Sequence, residues 1–439
     1  MPDDRIEISF ENNDDDNQEK DSSSDDEERI VIDFGESEKP EDKVEEKVQE
    51  NQEEKEEEII EPSLIDEILA SKIDSFYKAG KEVNGFYPSG IKFPEGIEHG
   101  FREGAKIELN DSFLNSILET NKFIILASVT GAIYFVDRFK KQLHSKIVMP
   151  GDSFEKTGLV HNNILYINSV GSLHKINEDQ MENGTPGELL YKCEPGFYIW
   201  SSLNRENNTI AFLEYSPSER KGNIVLYDIV TTQIVFKNNF SVNSSLNQIL
   251  CIIDGKAYFT ADNYLYTCDI NAGHIDRTPT GLEIGETCFL LGNGNKLYLT
   301  SKDGKVYFLD NNSGEPKYTG ICEHYINSIA GCAGNVYTGA SEGWRYYDGR
   351  GVLVYSHEDV EENRIEAVSE HVLVVSRRNK IVFHNLSRLQ EAEGFVIKTK
   401  DDSVVQEIFS AIISFNEIYT LTKQGVLSSF TNDKLNIHV

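Results

Sequence analysis

Carboxylates recur at one position of a repeating pattern, and they are the first candidates for chemistry. Five aspartates each close a short apolar segment: Asp137, Asp228, Asp269, Asp310 and Asp348. Carboxylates brought together can act as a general acid and base, or bind a cation. Each of these aspartates, however, stands where a turn between two strands is expected, and there its side chain accepts backbone N–H hydrogen bonds. The pattern therefore indicates turn residues rather than catalytic acids.

Histidine and cysteine spacing gives no motif for a metal or a nucleophile. The ten histidines form no HxH, HExxH or HxxE cluster, and the six cysteines include no CxxC pair. Zinc sites and catalytic cysteines need such residues at short, characteristic spacings. No phosphate-binding glycine loop or GxSxG sequence is present either. We therefore expect no catalytic residue, metal or cofactor, and a chain that is not an enzyme.

Two apolar islands in the N-terminal segment fit the pattern R-I-x-I-x-F, starting at Arg5 and Arg29. In an extended chain alternate side chains point to one side. The side chains that would do so here are Ile6, Ile8 and Phe10 in the first island and Ile30, Ile32 and Phe34 in the second. This is the pattern of a peptide that adds a strand to a partner's sheet edge. The alternative is coincidence in a segment of biased composition.

Charge divides the chain near residue 62. The 439 residues include 74 acidic and 42 basic side chains, and residues 1–62 alone hold 27 acidic and 7 basic ones. Such a segment cannot bury enough apolar surface to offset its chain entropy, so residues 1–61 are predicted to be a disordered acidic arm. Apolar residues at helical spacing over residues 63–77 predict an amphipathic helix, which packs on the folded domain or on a partner. Residues 62–109 are thus assigned to this helix and a linker.

Short strands separated by Gly, Asn and Asp make up the rest of the chain. A strand, a hairpin and a second strand closed by Asp, Asn or Thr recur eight times at intervals of about 40 residues, most clearly at 295–315. Four short strands with this period form one blade of a β-propeller. The predicted fold is all-β, an eight-bladed propeller over residues 110–439, with seven blades as the alternative. The longest interval is expected to hold a loop at 178–187, and the last outer strand comes from 434–439 or, alternatively, from 105–109.

Two copies resemble known repeats. The segment at 303–315 resembles the repeat of quinoprotein-like propellers, and Tyr337–Gly343 with Tyr347-Asp348 is similar to a WD40 repeat with Tyr in place of Trp. The resemblance covers about 110–439 and implies the propeller fold without a subfamily. A quinoprotein-like enzyme would need a tryptophan platform and calcium-binding oxygens, and the only tryptophans are Trp200 and Trp344. The enzyme is therefore the least favoured alternative.

One face of the predicted propeller carries the hairpins between the second and third strands of the blades. These hairpins include more basic than acidic residues: Arg220, Lys221, Lys302, Arg377, Arg378 and Lys423 against Glu219, Asp262, Asp303 and Glu342. Trp344 and Arg345 follow directly after one hairpin, and an arginine beside an exposed aromatic ring is a common binding anchor. This predicts a basic partner-binding face. The alternative is a set of solvated hairpin tips.

These observations favour a non-enzymatic scaffold that binds other proteins, with an acidic arm that docks partners. A chaperone or assembly factor for basic clients such as histones or ribosomal proteins is the alternative. The acidity disfavours direct nucleic-acid binding, which needs Lys and Arg against phosphates. With no secretory signal and no run of 18 apolar residues, we expect no membrane association and a cytoplasmic or nuclear monomer within a larger complex.

Overall fold

A computed structural model describes most of the chain after residue 100. The described residues are 101–281, 289–293, 296–301, 304–310, 316–321, 326–332, 334–377, 379–398, 404–414 and 417–431. The acidic arm, both R-I-x-I-x-F islands, the predicted helix at 63–77 and residues 434–439 lie outside these ranges.

The described residues form 33 strands and a helix of six residues, α1 (Glu178–Asn183). The strands in chain order are β1 Arg102–Glu108, β2 Leu118–Glu119, β3 Phe123–Ala127, β4 Ala132–Asp137, β5 Gln142–Val148, β6 Leu159–His161, β7 Ile164–Asn168, β8 Ser172–Ile176, β9 Glu188–Lys192, β10 Tyr198–Ile199, β11 Asn204–Glu206, β12 Thr209–Ser216, β13 Lys221–Asp228, β14 Gln233–Ser241, β15 Leu246–Ile253, β16 Lys256–Ala261, β17 Tyr264–Asp269, β18 Ile275–Pro279, β19 Leu290–Asn293, β20 Lys296–Thr300, β21 Lys305–Asp310, β22 Pro316–Ile321, β23 Ile326–Cys332, β24 Asn335–Ala340, β25 Gly343–Tyr347, β26 Leu353–Glu358, β27 Arg364–Val368, β28 Val372–Arg377, β29 Lys380–Asn385, β30 Gln390–Val396, β31 Ile408–Ser414, β32 Glu417–Thr422 and β33 Val426–Thr431.

Eight antiparallel sheets arise from these strands, and they are the eight blades of a propeller. Blades 1, 2, 4, 5, 6 and 7 are the successive groups β2–β5, β6–β9, β15–β18, β19–β22, β23–β26 and β27–β30. In blade 3 both β10 and β11 pair with β12, which is followed by β13 and β14. Blade 8 has the order β31, β32, β33, β1. The prediction of an all-β, eight-bladed propeller is confirmed.

Strand β1 closes the ring. It pairs with β33 from Arg102 opposite Thr431 to Glu108 opposite Val426, so the start of the domain supplies the outer strand of the last blade. This is the alternative in which residues near 105–109 form that strand. The propeller consequently includes Arg102–Glu108, which lie before the expected boundary at residue 110. Pairing the two ends of the domain ties the last blade to the first and leaves the ring without a gap.

Apolar clusters lie between neighbouring blades. On both sides of the closing seam, Ile124 and Leu126 of blade 1 pack with Ile412 and Leu421 of blade 8. Strand β3 is buried at every position because its two faces each meet another blade, whereas β5 on the outside is mostly exposed. Radial packing of sheets thus requires continuous apolar runs on the inner strands and allows polar residues on the outer strands.

The repeated aspartates hold the turns after the third strand of a blade. Asp228 accepts hydrogen bonds from the backbone N–H groups of Val230 and Thr231 at 2.8 and 2.7 Å, and Asp137, Asp269 and Asp348 do the same in their blades. These backbone bonds hold the pKa of Asp228 and of Asp269 below its usual value and bring that of Asp348 to about 2. Each such carboxylate is occupied within its own turn, as a structural residue is.

The expected loop at 178–187 contains helix α1 instead. Met181 is fully buried in the cluster between blades 1 and 2, and the Ser145 hydroxyl donates to its backbone oxygen. Gly184, with φ of 62°, ends the helix in the left-handed conformation that favours glycine. Burial of Met181 and the hydrogen bond from the backbone N–H of Asn177 to the Gln180 side chain at 2.8 Å both stabilise this short helix. Within the described part of the chain no helix is long and apolar enough to cross a membrane.

Candidate interaction face

The connections between blades and the hairpins between second and third strands lie at the same end of every sheet. This follows from the antiparallel order within each blade, because successive strands run in opposite directions. We call this end of the propeller the connection face. The opposite end, formed by the other two sets of hairpins, is called the turn face.

The basic hairpin residues differ in their exposure to solvent. Arg220 and Lys221 are exposed, and Lys221 forms an ion pair with Glu219 at 2.9 Å. Arg377, in contrast, is 8% exposed and lies between carboxylates. Its Nε is 2.8 Å from Asp359 and its Nη1 is 2.9 Å from Glu391. Arg377 is therefore not the solvated hairpin residue that its position predicted, and Arg378 lies outside the described residues.

Trp344 is fully buried, which corrects the prediction that it is an exposed anchor. Strand β25 begins at Gly343, so Trp344 belongs to the sheet rather than to the hairpin tip. Its ring packs against Tyr355 at 5.2 Å and against His384 of the next blade, also at 5.2 Å. Arg345, the other half of the predicted anchor, is only half-buried and pairs across the sheet with Thr338 and Ser356.

The described part of the connection face is acidic. Its connections and hairpins carry the acidic residues Asp111, Asp152, Glu155, Glu194, Glu219, Asp262, Glu342, Asp359, Glu361, Glu362 and Glu407. The basic residues there are Lys156, Arg220, Lys221, Arg377, Lys398 and Lys423. The prediction of a basic face counted the hairpins alone. The connections between blades lie on the same face, and their acidic residues make its net charge negative.

Three aromatic side chains lie together on this face, on the side of blade 3 that packs against blade 4. Tyr198 lies in β10, Trp200 follows that strand, and Tyr215 lies opposite Tyr198 on β12. The Trp200 and Tyr215 rings are 5.1 Å apart and edge-to-face. Tyr198 is 44% exposed, and the other two are partly buried. We call this group the Trp200 patch.

Backbone and indole hydrogen bonds fix the patch to three blades. The backbone N–H of Ile199 donates to Val170 of blade 2 at 2.8 Å, and that of Trp200 donates to Leu213 of blade 3 at 2.8 Å. The indole Nε1 donates to the backbone oxygen of Leu246 in blade 4 at 3.0 Å. The aromatic rings are therefore presented on a rigid frame, which lowers the entropy cost of binding a partner.

A buried carboxylate lies on the opposite side of blade 3 from the patch, toward blade 2. Glu214 accepts hydrogen bonds from Tyr191 at 2.6 Å and Asn223 at 3.1 Å, and it is 2.9 Å from Lys237. Burial raises the pKa of Glu214, but these bonds outweigh it and hold the pKa below its usual value. Burial, followed by the Glu214 carboxylate, raises the pKa of the Cys193 thiol. Cys193 therefore stays a protonated thiol, which is a poor nucleophile. The cluster stabilises the contact between blades 2 and 3 through its polar bonds.

A second polar cluster lies between blades 6 and 7. One potential ligand atom each of His357, His384 and Glu391 lies within 4.8 Å of the others, although sequence spacing gave no such cluster. The Nη2 group of Arg377 is 3.1 Å from Nε2 of His357, and its Nη1 binds Glu391. A guanidinium thus already binds two of the three groups, and the arrangement is an arginine site rather than a metal site.

Comparison with known proteins identifies the fold alone. No family model matches the chain, and no curated protein matches its sequence. The C-terminal WD40 domain of Sif2 has a TM-score of 0.59 at 12% identity, over 76% of this chain and 99% of that one. BamB from Moraxella catarrhalis has a TM-score of 0.54 at 13% identity, over 75% and 99%. A europium-containing methanol dehydrogenase has a TM-score of 0.61 at 8% identity, over 82% and 100%. The chain is thus similar in fold to both WD40 and quinoprotein-like propellers.

No motif in the sequence predicted the Trp200 patch. Its signal was the aromatic run from Phe197 to Trp200 within the longest interval between repeats. This run leads into blade 3, where Tyr198 belongs to the two-residue strand β10. Tyr215 could not have been added from sequence, because only the pairing of β10 with β12 brings it to Tyr198.

Proposed function

We propose that the protein is a platform for protein–protein interaction and that partners bind its connection face at the Trp200 patch. The observation that carries this proposal is a group of three aromatic rings, all at least partly exposed, held on a rigid frame. Tryptophan and tyrosine are the residues that most often dominate interface energies, because they bury much area with little loss of rotamer freedom.

The partner class that the face supports best is a basic protein. Acidic residues outnumber basic ones over the described part of the connection face, and the first 62 residues add 27 acidic side chains. Long-range attraction between opposite charges speeds association and favours basic over acidic partners. This supports the role of an assembly factor for basic clients in the cytoplasm or nucleus.

The acidic arm is proposed to contribute through its two apolar islands. Each would add a short strand to a partner, with Ile6, Ile8 and Phe10 or Ile30, Ile32 and Phe34 on the binding side. Two linked contacts raise the apparent affinity by roughly 10²–10⁴ over one, provided that both can engage together. A double change of Phe10 and Phe34 to Ala should therefore reduce partner recovery much more than either single change.

The test compares two aromatic positions of the patch with one exposed aromatic position on the turn face. Trp200→Ala and Tyr198→Ala are each compared with Phe139→Ala, since Phe139 is 64% exposed and lies on the turn face. Tagged full-length proteins are recovered from cells, and co-purifying proteins are quantified by mass spectrometry. We expect the two patch variants to lose the same partners and Phe139→Ala to keep them. Equal recovery with all three variants would reject the connection face as the binding surface.

A further inference from the structure

Lys156 lies against the indole of Trp200. It belongs to the connection between blades 1 and 2, and its Nζ is 6.0 Å from the centroid of the Trp200 ring. The same Nζ donates a hydrogen bond to Oε1 of Gln248 in blade 4. Lys156, Trp200 and Gln248 are all partly buried. The chain therefore supplies its own cation to the central member of the patch.

This intramolecular contact is weak enough to be replaced. A cation over an aromatic ring contributes about 0.5–1 kcal/mol at exposed positions, and 6.0 Å is near the outer limit of the interaction. Holding a lysine side chain in one conformation costs roughly 1.5–2 kcal/mol of entropy when it is fully ordered, and the hydrogen bond to Gln248 offsets part of that cost. A cation that approached the ring more closely, on a side chain already ordered by other contacts, would compete with Lys156 for the ring.

Acidic residues lie in both connections that supply the site. Asp152 and the exposed Glu155 lie in the same connection as Lys156, and Glu194, which forms an ion pair with Lys237 at 3.2 Å, lies in the connection that leads to Trp200. Long-range attraction from the acidic connection face disfavours an acidic ligand and favours a cationic one. The aromatic ring, the lysine beside it and the acidic connections together indicate a cationic ligand.

We propose that a lysine or arginine side chain of a basic protein segment binds over Trp200 and displaces Lys156. The inference rests on the proposed function, of which it specifies the partner chemistry. Lys156 then acts as an internal competitor that occupies the ring until a partner arrives. Its removal should strengthen binding, which is the opposite of what removal of an ordinary contact residue does.

Tryptophan fluorescence allows a direct test in the full-length protein. The chain has two tryptophans, and Trp344 is fully buried, so the difference between wild type and Trp200→Phe reports on Trp200. The probes are two synthetic twelve-residue peptides, one of alternating lysine and glycine and one of alternating glutamate and glycine. The acidic arm contains no tryptophan and is the same in all variants. Peptide that binds only the arm therefore does not change the difference in emission between wild type and Trp200→Phe.

The variants are Lys156→Met and a matched control, Lys140→Met. Lys140 has a side chain that is 65% exposed and lies on the turn face. We expect the lysine peptide to change Trp200 emission saturably, and Lys156→Met to lower its Kd by about three- to tenfold, with no change in Lys140→Met. The glutamate peptide should produce no signal. An equal response to both peptides, or a Kd that is unchanged or raised in Lys156→Met, would overturn the inference.

The outcome also separates this inference from the proposed function. If Trp200→Ala loses cellular partners while the lysine peptide leaves the Trp200 emission unchanged, the platform is supported and the partner chemistry is wrong. If Trp200→Ala keeps all partners, the platform at this patch is rejected whatever the peptides do. Thermal unfolding of Lys156→Met, expected within about 0.5 kcal/mol of wild type as for other surface changes, verifies that the variant is folded.

Discussion

The two tryptophans of the chain lie in different environments, although each lies close to basic residues. Trp344 lies within strand β25 and is enclosed between blades 6 and 7, where it packs against His357 and His384. Trp200 lies in a connection, keeps part of its ring exposed and has Lys156 beside it. The difference shows that position relative to the blade, not the identity of the neighbouring residue, decides whether an aromatic side chain is core or surface.

The largest expected effect is on stability at the seam between blades 6 and 7. Trp344→Ala removes the largest fully buried side chain and leaves a cavity, which typically costs about 3–5 kcal/mol. Urea unfolding of the variant should show a clearly lower midpoint with little change in slope. A loss below about 1 kcal/mol would mean that the seam collapses around the missing ring or that Trp344 is not core.

Arg377 should be the next most costly residue. Arg377→Met leaves Asp359 and Glu391 without their guanidinium, and we expect a loss of roughly 2–3 kcal/mol, less than for a fully buried pair because Glu391 is partly exposed. The matched control is Arg220→Ser, an exposed hairpin residue on the same face, which should change stability by less than about 0.5 kcal/mol. Similar losses for both arginines, measured by urea unfolding, would restore the prediction that Arg377 is a solvated hairpin residue.

His384 should make the same seam sensitive to acid. Burial, with further contributions from His357 and Arg377, lowers its pKa to about 3, while Asp359 acts in the other direction. At pH values below the ordinary pKa of 6.5, His384 binds a proton in the unfolded chain but stays neutral in the folded protein. The free energy of unfolding therefore decreases as the pH falls from 6.5 to about 3. The slope from this one proton is about 1.4 kcal/mol per pH unit.

The comparison is between wild type and His384→Phe. Both ring nitrogens of His384 are buried without a hydrogen-bond partner among the described residues, so an apolar ring should be tolerated at neutral pH. We expect the dependence of unfolding free energy on pH between 6 and 4 to be shallower in the variant by about that slope. Parallel curves for the two proteins would show that His384 does not titrate in this way.

The smallest expected effect is on the stability of the Trp200 patch. Tyr198→Ala, at a side chain that is 44% exposed, should change the free energy of unfolding by less than about 1 kcal/mol. Its stability should thus resemble that of the turn-face control Phe139→Ala, whereas its partner recovery should not. A large loss of stability in Tyr198→Ala would show that the patch is structural, as Trp344 is.

Much of the fold could be predicted because blades are local. A blade is built from strands adjacent in sequence, so the alternation of apolar strands with Gly, Asn and Asp turns appears directly in the repeat at 295–315. The roles of the closing aspartates could also be predicted, since Asp228 accepts hydrogen bonds from backbone N–H groups two and three residues further along the chain. Helix α1 was not predicted because its six residues carry no apolar periodicity, and the apolar cluster that buries Met181 forms only when blades 1 and 2 pack together.

The site depended on contacts that no local pattern records. The sequence by itself determined a propeller of eight repeats and their turn residues, because each rests on composition or on neighbours a few residues apart. Only the tertiary structure decided that β1 completes blade 8, that Arg377 and Trp344 are enclosed and that Lys156 meets Trp200. Each of these joins separate blades, and the radial packing of sheets, rather than the spacing of residues, sets which side chains face a neighbour and which face solvent.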